Sequence, residues 1–182
     1  MRKRKENPIS IQSKQWLLDA LLTLMEEKDF QSITITELTE RACLDRKTFY
    51  RNFRSKEDVL FLKFQELCQL YISELHSLSQ LSAYAVSKAY FDICISNFHF
   101  FALLNRHKLL SLALLKFDEY LPILNEIFLS NPAYRHKSKY ELVYQAGGFW
   151  NITIWWLNGG GKETAEEMAE IISTVMPSPL NE

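Results

Sequence analysis

The segment from Arg46 to Phe53 holds the side chains with the clearest chemical potential in this sequence. Phe49 and Phe53 are four residues apart, so on a helix they share one face, and we expect that face to be buried. Six side chains then point outward: Arg46, Lys47, Thr48, Tyr50, Arg51 and Asn52. Three cations, a hydroxyl, a phenol and an amide on one short exposed face make a poor catalytic site and a good surface for contacting DNA.

The position of each side chain on this helix predicts its contact. The N-terminal residues of a recognition helix reach deepest into the major groove, so we expect Arg46, Lys47 and Thr48 to contact base edges. Arg and Lys donate hydrogen bonds to guanine, and Thr meets a base edge or a thymine methyl group. Tyr50 and Asn52 suit phosphate contacts.

Phosphate contacts are also predicted on both sides of this helix. Thr34 and Thr36 lie at the start of the preceding helix, where free backbone amides and the helix dipole attract an anion. Lys56 lies at the start of the following helix, in the same kind of environment. These three residues complete the predicted DNA-binding set.

Helix-start signals around the segment decide between a DNA-binding face and an ordinary solvated one. Thr34 followed by Glu37 forms a capping box, and Asp45 is placed to cap the next helix. Only three residues, 43–45, separate the predicted helices 36–42 and 46–53. Two short helices joined by so tight a turn predict a helix-turn-helix.

The remaining signals also predict helices. Residues 1–12 are expected to form a flexible arm with the basic run Arg2–Lys5, before a helix over 14–28 capped by Ser13. Ser55 and Asp58 mark the start of a long helix that ends near His76. Further helices are predicted near 84–105, 108–117, 121–130, 138–157 and 165–176. The fold class is therefore all-α.

Charge and composition restrict the partners. Residues 1–64 carry 13 basic and 10 acidic residues, whereas residues 65–182 carry 8 and 12, so only the first part suits a polyanion. The uncharged stretch 142–161 contains all five glycines and three amide side chains, so we interpret it as a buried helix and not a membrane span. Three cysteines without metal-ligand spacing indicate a cytoplasmic protein. No metal, cofactor or catalytic motif is predicted.

The run Thr48-Phe49-Tyr50-Arg51-Asn52-Phe53-Arg54-Ser55-Lys56-Glu57-Asp58, together with the stretch 29–42 before it, resembles the N-terminal domain of the tetracycline-repressor (TetR/AcrR) family of bacterial regulators. The resemblance implies that Phe49 and Phe53 are core residues, that Tyr50 touches the DNA backbone and that Lys56 grips phosphate. It also implies repression that an effector relieves. The chain departs from the family pattern at Cys43, where glycine is usual, and at Lys47, where a small residue or proline is common.

These inferences divide the chain into two predicted domains. Residues 1–54 form a three-helix DNA-binding domain, and residues 55–182 form a helical bundle for dimerisation and effector binding. Two recognition helices related by a two-fold axis would contact a palindromic operator in double-stranded DNA. The effector is either a small molecule or, in the alternative hypothesis of a co-activator, a protein partner. A helical enzyme or carrier that merely retains the N-terminal fold is a third and weaker reading.

The second domain holds two further sets of candidates. An effector pocket is predicted from aromatic and small apolar residues: Phe91, Cys94, Phe98, Phe101, Tyr144, Phe149 and Trp150. Glycines inside an apolar helix are unfavourable, so Gly147 and Gly148 indicate close packing, either within the chain or, as we favour, between subunits. The predicted dimer interface consists of Gly147, Gly148, Trp155, Met168 and Ile172. The weak resemblance of the last two helices to those of the family supports this placement.

Overall fold

In the computed structural model of the protein, the described residues are 7–130 and 139–175. These residues form ten α-helices and one 3₁₀ turn, and no β-strand occurs among them. The all-α class predicted from the sequence is confirmed. The chain divides into two compact units, one ending at Phe64 and the other beginning at Gln65. The predicted boundary between the DNA-binding and effector domains lies ten residues earlier, between residues 54 and 55, just before a helix that starts at Lys56. This functional division stays a prediction.

The first unit is built from short helices packed on one long one. Helix α1 (Pro8–Glu27) is followed by the 3₁₀ turn Phe30–Ser32, then by α2 (Ile35–Arg41) and α3 (Arg46–Asn52). Helix α4 (Lys56–Ser77) begins in this unit and continues into the second. The core is formed by side chains that exclude water almost completely: Leu17, Leu21, Met25, Phe30, Leu38, Phe49 and Val59.

Helix α1 begins earlier than the sequence predicted. Its N-cap is Asn7, whose side chain accepts a hydrogen bond from the Ile9 amide at 3.1 Å, and Pro8 occupies the first turn, where a missing N–H costs nothing. Ser13, the predicted cap, lies inside the helix and donates to the Ile9 carbonyl at 2.7 Å. Residues 8–12 of the predicted flexible arm are therefore helical, while Arg2–Lys5 lie outside the described residues.

The two predicted helix starts of the helix-turn-helix are confirmed. The Thr34 hydroxyl accepts from the Glu37 amide, and the Glu37 carboxylate accepts from the Thr34 amide at 2.9 Å, which completes the capping box. The Asp45 carboxylate accepts from the Thr48 amide at the start of α3. Both helices end within one residue of their predicted positions.

The start of α4 also agrees with the sequence prediction. Asp58 accepts from the Ser55 amide and from the Arg54 amide, and the Asp58 amide donates to the Ser55 hydroxyl. These bonds satisfy backbone donors that a helix leaves free in its first turn.

The second unit continues from α4 with six more described helices. They are α5 (Ala83–Ser96), α6 (Phe98–Arg106), α7 (Leu110–Asp118), α8 (Leu121–Ser130), α9 (Lys139–Asn158) and α10 (Ala165–Val175). Helix α10 packs most extensively against α5. Residues 131–138, between α8 and α9, are not among the described residues. None of the described helices is both long enough and apolar enough to cross a membrane.

The helix predicted over 84–105 is two helices, because the chain turns at Asn97. Its backbone (φ −121°, ψ 27°) leaves the helical region, and its side-chain amide donates to the Ile93 carbonyl at 2.9 Å. An asparagine side chain competes in this way for backbone groups, and no glycine or proline marks the site in the sequence.

The end of α9 follows the predicted glycine signal. Gly160 and Gly161 have positive φ (90° and 62°), and the Gly161 amide donates to the Trp156 carbonyl at 2.9 Å. A Cβ at Gly161 would overlap the Phe98 ring. The predicted capping box of Thr164 and Glu167 then starts α10.

Candidate nucleic-acid interface

Helix α3 exposes a cationic face to solvent, and its other face carries two buried aromatic rings. Phe49 and Phe53 are buried and their ring centroids lie 6.0 Å apart, as the four-residue spacing predicted. Arg46, Lys47 and Arg51 are exposed. The N–H groups of these three side chains are therefore accessible as hydrogen-bond donors to a nucleic acid.

Tyr50 belongs to the same exposed face and is held by its neighbours. Its ring packs edge-on against Phe49 at 5.3 Å, and the Arg46 guanidinium lies 5.9 Å from its centroid. Such a cation–π contact restricts the arginine side chain before any ligand binds. Arg51 approaches the half-buried Thr48 hydroxyl at 3.5 Å, the outer limit of a hydrogen bond.

Asn52 does not point freely outward, in contrast to the sequence prediction. It is half-buried, its Oδ1 accepts from the Ser10 hydroxyl at 2.7 Å, and its Nδ2 donates to the Thr48 carbonyl at 2.9 Å. Ser10 lies in the first turn of α1, 42 residues away in sequence. Because both polar atoms of Asn52 have partners within the unit, a phosphate contact from this residue is not favoured.

The predicted phosphate contacts of α2 differ from each other. Thr36 is exposed at the first turn and fits its predicted position. Thr34 is exposed too, but its hydroxyl accepts from the Glu37 amide and donates to the Glu37 carboxylate at 2.9 Å. A phosphate would have to displace that carboxylate to reach the Thr34 hydroxyl.

Lys56 has an internal role that the sequence did not reveal. Its ammonium donates to the carbonyls of Phe30, Gln31 (3.2 Å) and Ile33 (2.9 Å) and lies 4.5 Å from the Phe30 ring centroid. Partial burial lowers the pKa of Lys56. The ammonium thus caps the carbonyl groups of the 3₁₀ turn. All three of its N–H donors have partners, so binding of a phosphate would require some of these hydrogen bonds to break.

Two ion pairs join α1 to α2 and fix the first helix of the motif. Arg41 makes a bidentate pair with Glu27, with both N–O distances at 2.8 Å. Lys28 pairs with Glu37, and this contact together with the Thr34 bonds lowers the pKa of Glu37 to about 2. Sequence reasoning missed both pairs because their members lie nine and 14 residues apart, beyond any helical spacing.

Cys43 keeps the left-handed conformation of the turn despite having a side chain. Its φ is 53°, its amide donates to the Glu40 carbonyl at 3.1 Å, and the Leu44 amide donates to the Thr39 carbonyl at 2.9 Å. The thiol is exposed. The position where glycine is usual in the family therefore has a positive φ in this chain, a conformation that is costly for a residue with a side chain.

The predicted pocket residues fall into two groups. Phe91, Cys94, Phe101 and Trp150 are buried, and Phe98 and Phe149 are half-buried. Several of them share one aromatic cluster, in which Trp156 contacts Phe91 and Phe98, and Tyr90 contacts Phe91 and Phe149. Tyr144 is 83% exposed, so its placement in a pocket was wrong: it lies on the opposite, solvent-facing side of α9.

Inside this cluster the Tyr90 hydroxyl lies 2.8 Å from the Thr153 hydroxyl and next to the Cys94 thiol. Burial raises the pKa of both Cys94 and Cys68 to about 12, which keeps these thiols protonated and unreactive. No group of His, Cys, Asp and Glu among the described residues has the arrangement of a metal site.

The predicted dimer residues also separate. Met168 and Ile172 are buried in the second unit, so assigning them to a subunit interface was wrong; the apolar stripe of α10 that contains them faces its own chain. Trp155 is 80% exposed. A Cβ at Gly147 or Gly148 would meet nothing within 4 Å, so packing inside the described chain does not explain either glycine.

The geometry of α2, the Cys43 turn and α3 defines the first unit as a helix-turn-helix domain. Residues 17–61 match the family described as bacterial regulatory proteins, tetR family. The first unit therefore carries the DNA-binding domain of this family, and the resemblance predicted from the sequence is confirmed.

Solved structures extend the similarity over both units. A regulator of fatty acid degradation, FadR from Bacillus halodurans, has a TM-score of 0.67 at 17% identity, over 94% of this chain and 96% of its own. The TetR-family repressor AlkX from Dietzia sp. strain DQ12-45-1b, implicated in biodegradation of n-alkanes, has a TM-score of 0.51 at 15% identity, over 95% of each chain. At these identities the comparison shows a shared fold. No curated protein sequence matches the chain significantly.

Proposed function

We propose that this protein is a transcriptional repressor that binds a palindromic operator as a homodimer and leaves it when an effector binds the second unit. The observation that carries the proposal is the exposed cationic face of α3, seated on buried Phe49 and Phe53 within a tetR-type domain. Arg46, Lys47 and Thr48 contact base edges, and Tyr50, Arg51 and Thr36 contact the backbone. The protein acts in the cytoplasm, on the nucleoid, and the proposal includes no catalytic step.

The homodimer is supported by an exposed stripe along α9. Tyr140, Tyr144 and Trp155 are exposed and lie on one side of the helix, together with Gly147 and Gly148 near its middle. Large aromatic side chains that flank residues without a side chain form a surface against which another helix can pack closely. A second copy of α9 is the occupant we propose, because a two-fold interface uses the same patch on both subunits.

The effector class follows from the aromatic cluster of the second unit. Phe91, Phe98 and Trp156 form an apolar environment with no charged side chain among them. Such an environment suits an apolar ligand. The solved relatives are named for fatty acid degradation and for n-alkane biodegradation, so a ligand with a long alkyl chain is the small-molecule candidate.

Release from DNA is proposed to pass through α4, which contributes residues to both units. An effector that tilts this helix would change the spacing of the two recognition helices, and both half-sites would be lost together. It needs only to bind the DNA-free state more tightly by a few kcal/mol.

A protein partner in place of a small effector is the second candidate. Leu115 on α7 and Ile123 and Leu129 on α8 are exposed apolar residues of the second unit, and Leu115 is 65% exposed. Exposed apolar side chains are what a protein partner would cover. This candidate would make the protein a regulator or co-activator that responds to another protein.

Selection from a random duplex pool at moderate salt tests the proposed function. We expect an enriched palindrome, bound by a dimer with a log affinity that falls steeply with log salt, near a slope of −7 for about eight phosphate contacts. No enrichment and a flat salt dependence would contradict DNA binding.

A second experiment tests the effector by adding fatty acids and n-alkanes of increasing chain length to the protein–DNA complex. A short-chain acid is the control. Release from DNA only by cell extract would favour a protein partner.

A further inference from the structure

We infer that Ser10 and Asn52 are positioning residues that set the rotation of the recognition helix on α1, and that Asn52 improves operator discrimination without contacting DNA. The inference rests on the proposed DNA-binding function. It starts from the observation that the Ser10 hydroxyl donates to Asn52 Oδ1 at 2.7 Å, while Asn52 Nδ2 donates to the Thr48 carbonyl at 2.9 Å.

The recognition helix needs such a contact because it is very short. It has seven residues, and an isolated helix of two turns does not hold its shape in water. Its orientation is therefore set by tertiary contacts. Phe49 and Phe53 set which face of α3 is turned to the core, but apolar contacts are not directional, so a polar contact restricts its rotation further.

A hydrogen bond is directional and supplies the missing restraint. The Ser10–Asn52 bond joins the first turn of α1 to the last residue of α3 and is partly buried, so water competes with it less than at an exposed site. The Asn52–Thr48 bond continues the restraint into the turn that carries Thr48, a predicted base contact. Base contacts tolerate displacements of only about 0.5 Å, so rotation of α3 should affect the operator more than unrelated DNA.

The test compares two duplexes: the sequence enriched from the random pool, and a scrambled duplex of equal length and composition. The quantity measured is the ratio of the two affinities in Ser10→Ala, Ser10→Thr, Asn52→Ala and the Ser10→Ala/Asn52→Ala double variant. Ser13→Ala is the matched control, because it removes a hydroxyl of the same helix that donates only to the Ile9 carbonyl. Thermal melting of every variant shows whether it is folded at the assay temperature.

We expect Ser10→Ala and Asn52→Ala each to lower the affinity ratio about tenfold, the loss expected when a rotated α3 weakens one base contact. The double variant should be no worse than Asn52→Ala alone, because both changes break the same link. Ser10→Thr keeps the hydroxyl and should restore most of the ratio. The salt slope and the scrambled-duplex affinity should not change, and Ser13→Ala should resemble the unmodified protein.

Four results would overturn the inference. If Asn52→Ala weakens both duplexes equally and flattens the salt slope by about one unit per subunit, while Ser10→Ala has no effect, then Asn52 contacts phosphate. If all affinities fall in parallel with the melting temperature, the link is merely structural. A normal ratio in both single variants would reject the link but leave the proposed function intact, whereas failure of the unmodified protein to enrich any duplex would reject both.

Discussion

Cys43 shows at the scale of one residue how a turn can hold a residue with a side chain in the left-handed conformation. With φ at 53° the Cβ is crowded by the backbone, a strain that glycine would not have. Two backbone hydrogen bonds across the turn hold the conformation in place. The sequence showed the cysteine, but only the structure shows that its backbone is left-handed.

Cys43→Gly should therefore stabilise the first unit. Relief of the left-handed strain contributes about 1–2 kcal/mol, and the added flexibility of glycine in the unfolded chain offsets about 0.5–1 kcal/mol. We expect a net gain of up to about 1.5 kcal/mol in the free energy of unfolding, measured by urea titration. Cys43→Ala keeps the Cβ and is the control that should show no gain; equal stabilisation by both changes would contradict the role of φ.

Arg46 and Lys47 are the two cations that we expect to contact base edges. Arg46→Ala or Lys47→Ala should relax base preference at one position of each half-site and cost about 1–3 kcal/mol per half-site if that side chain contacts a base edge. Arg46→Ala also removes the cation over the Tyr50 ring. Repeating the duplex selection with each variant measures the effect. Equal losses at every base position would assign both residues to the phosphate backbone.

At the scale of helices, short-range signals were the ones that the sequence predicted well. The capping boxes of α2 and α10 and the start of α4 each depend on residues three apart, and all three are present. The start of α1 was missed because the first turns of that helix are exposed and carry no apolar stripe. The break at Asn97 was missed because it depends on one side-chain hydrogen bond.

The α1–α2 ion pairs lead to a prediction on pH. The Lys28 ammonium and the Thr34 bonds favour the ionised form of Glu37, so its contribution to stability is complete above the ordinary carboxyl pKa near 4.5 and is lost as the pH falls towards 2. Glu37→Gln should therefore lower the melting temperature at pH 6 and have progressively less effect below pH 4. Glu40→Gln, in the same helix and exposed, is the control; a pH-independent difference would contradict the assignment.

The side chain of Lys56 has two candidate roles, a structural one at the 3₁₀ turn and a phosphate contact, and one substitution distinguishes them. Lys56→Met keeps the aliphatic stem over Phe30 but leaves three carbonyls without their donor, so we expect a loss of about 1–3 kcal/mol in the free energy of unfolding. Chemical denaturation measures it, with the exposed Lys162→Met as control. Unchanged stability together with weaker binding to every duplex and a flatter salt slope would instead support the phosphate grip that the family resemblance implied.

At the scale of the whole molecule, the sequence did not show which face of a helix is buried in its own chain. Residues of α10 were chosen from their position in the chain, whereas Met168 and Ile172 are used by the core of the second unit. Burial of one face or another depends on which helices pack together, and α10 packs on α5, a pairing that local periodicity does not encode. The proposed contact with a second subunit therefore rests on the exposed residues of α9.

Trp155→Glu tests that interface. A charge on this exposed ring should disfavour contact between two copies of α9 and weaken dimerisation more than tenfold, as measured by sedimentation equilibrium. Leu115→Glu, on another exposed apolar residue, should leave the dimer intact. Operator affinity should fall with Trp155→Glu because each half-site is then bound separately. Dissociation by Leu115→Glu alone would place the interface on α7 and α8.

The exposed thiol of Cys43 provides a way to follow the proposed release from DNA. Cys68 and Cys94 are buried and burial keeps them protonated, so among the three cysteines only Cys43 is open to reagents in the folded protein. A nitroxide attached there, without any engineered cysteine, would sit in the turn between α2 and α3. In a homodimer the two labels form a pair whose separation reports the spacing of the recognition helices. Pulsed spin-resonance distances with and without effector would then show directly whether that spacing changes.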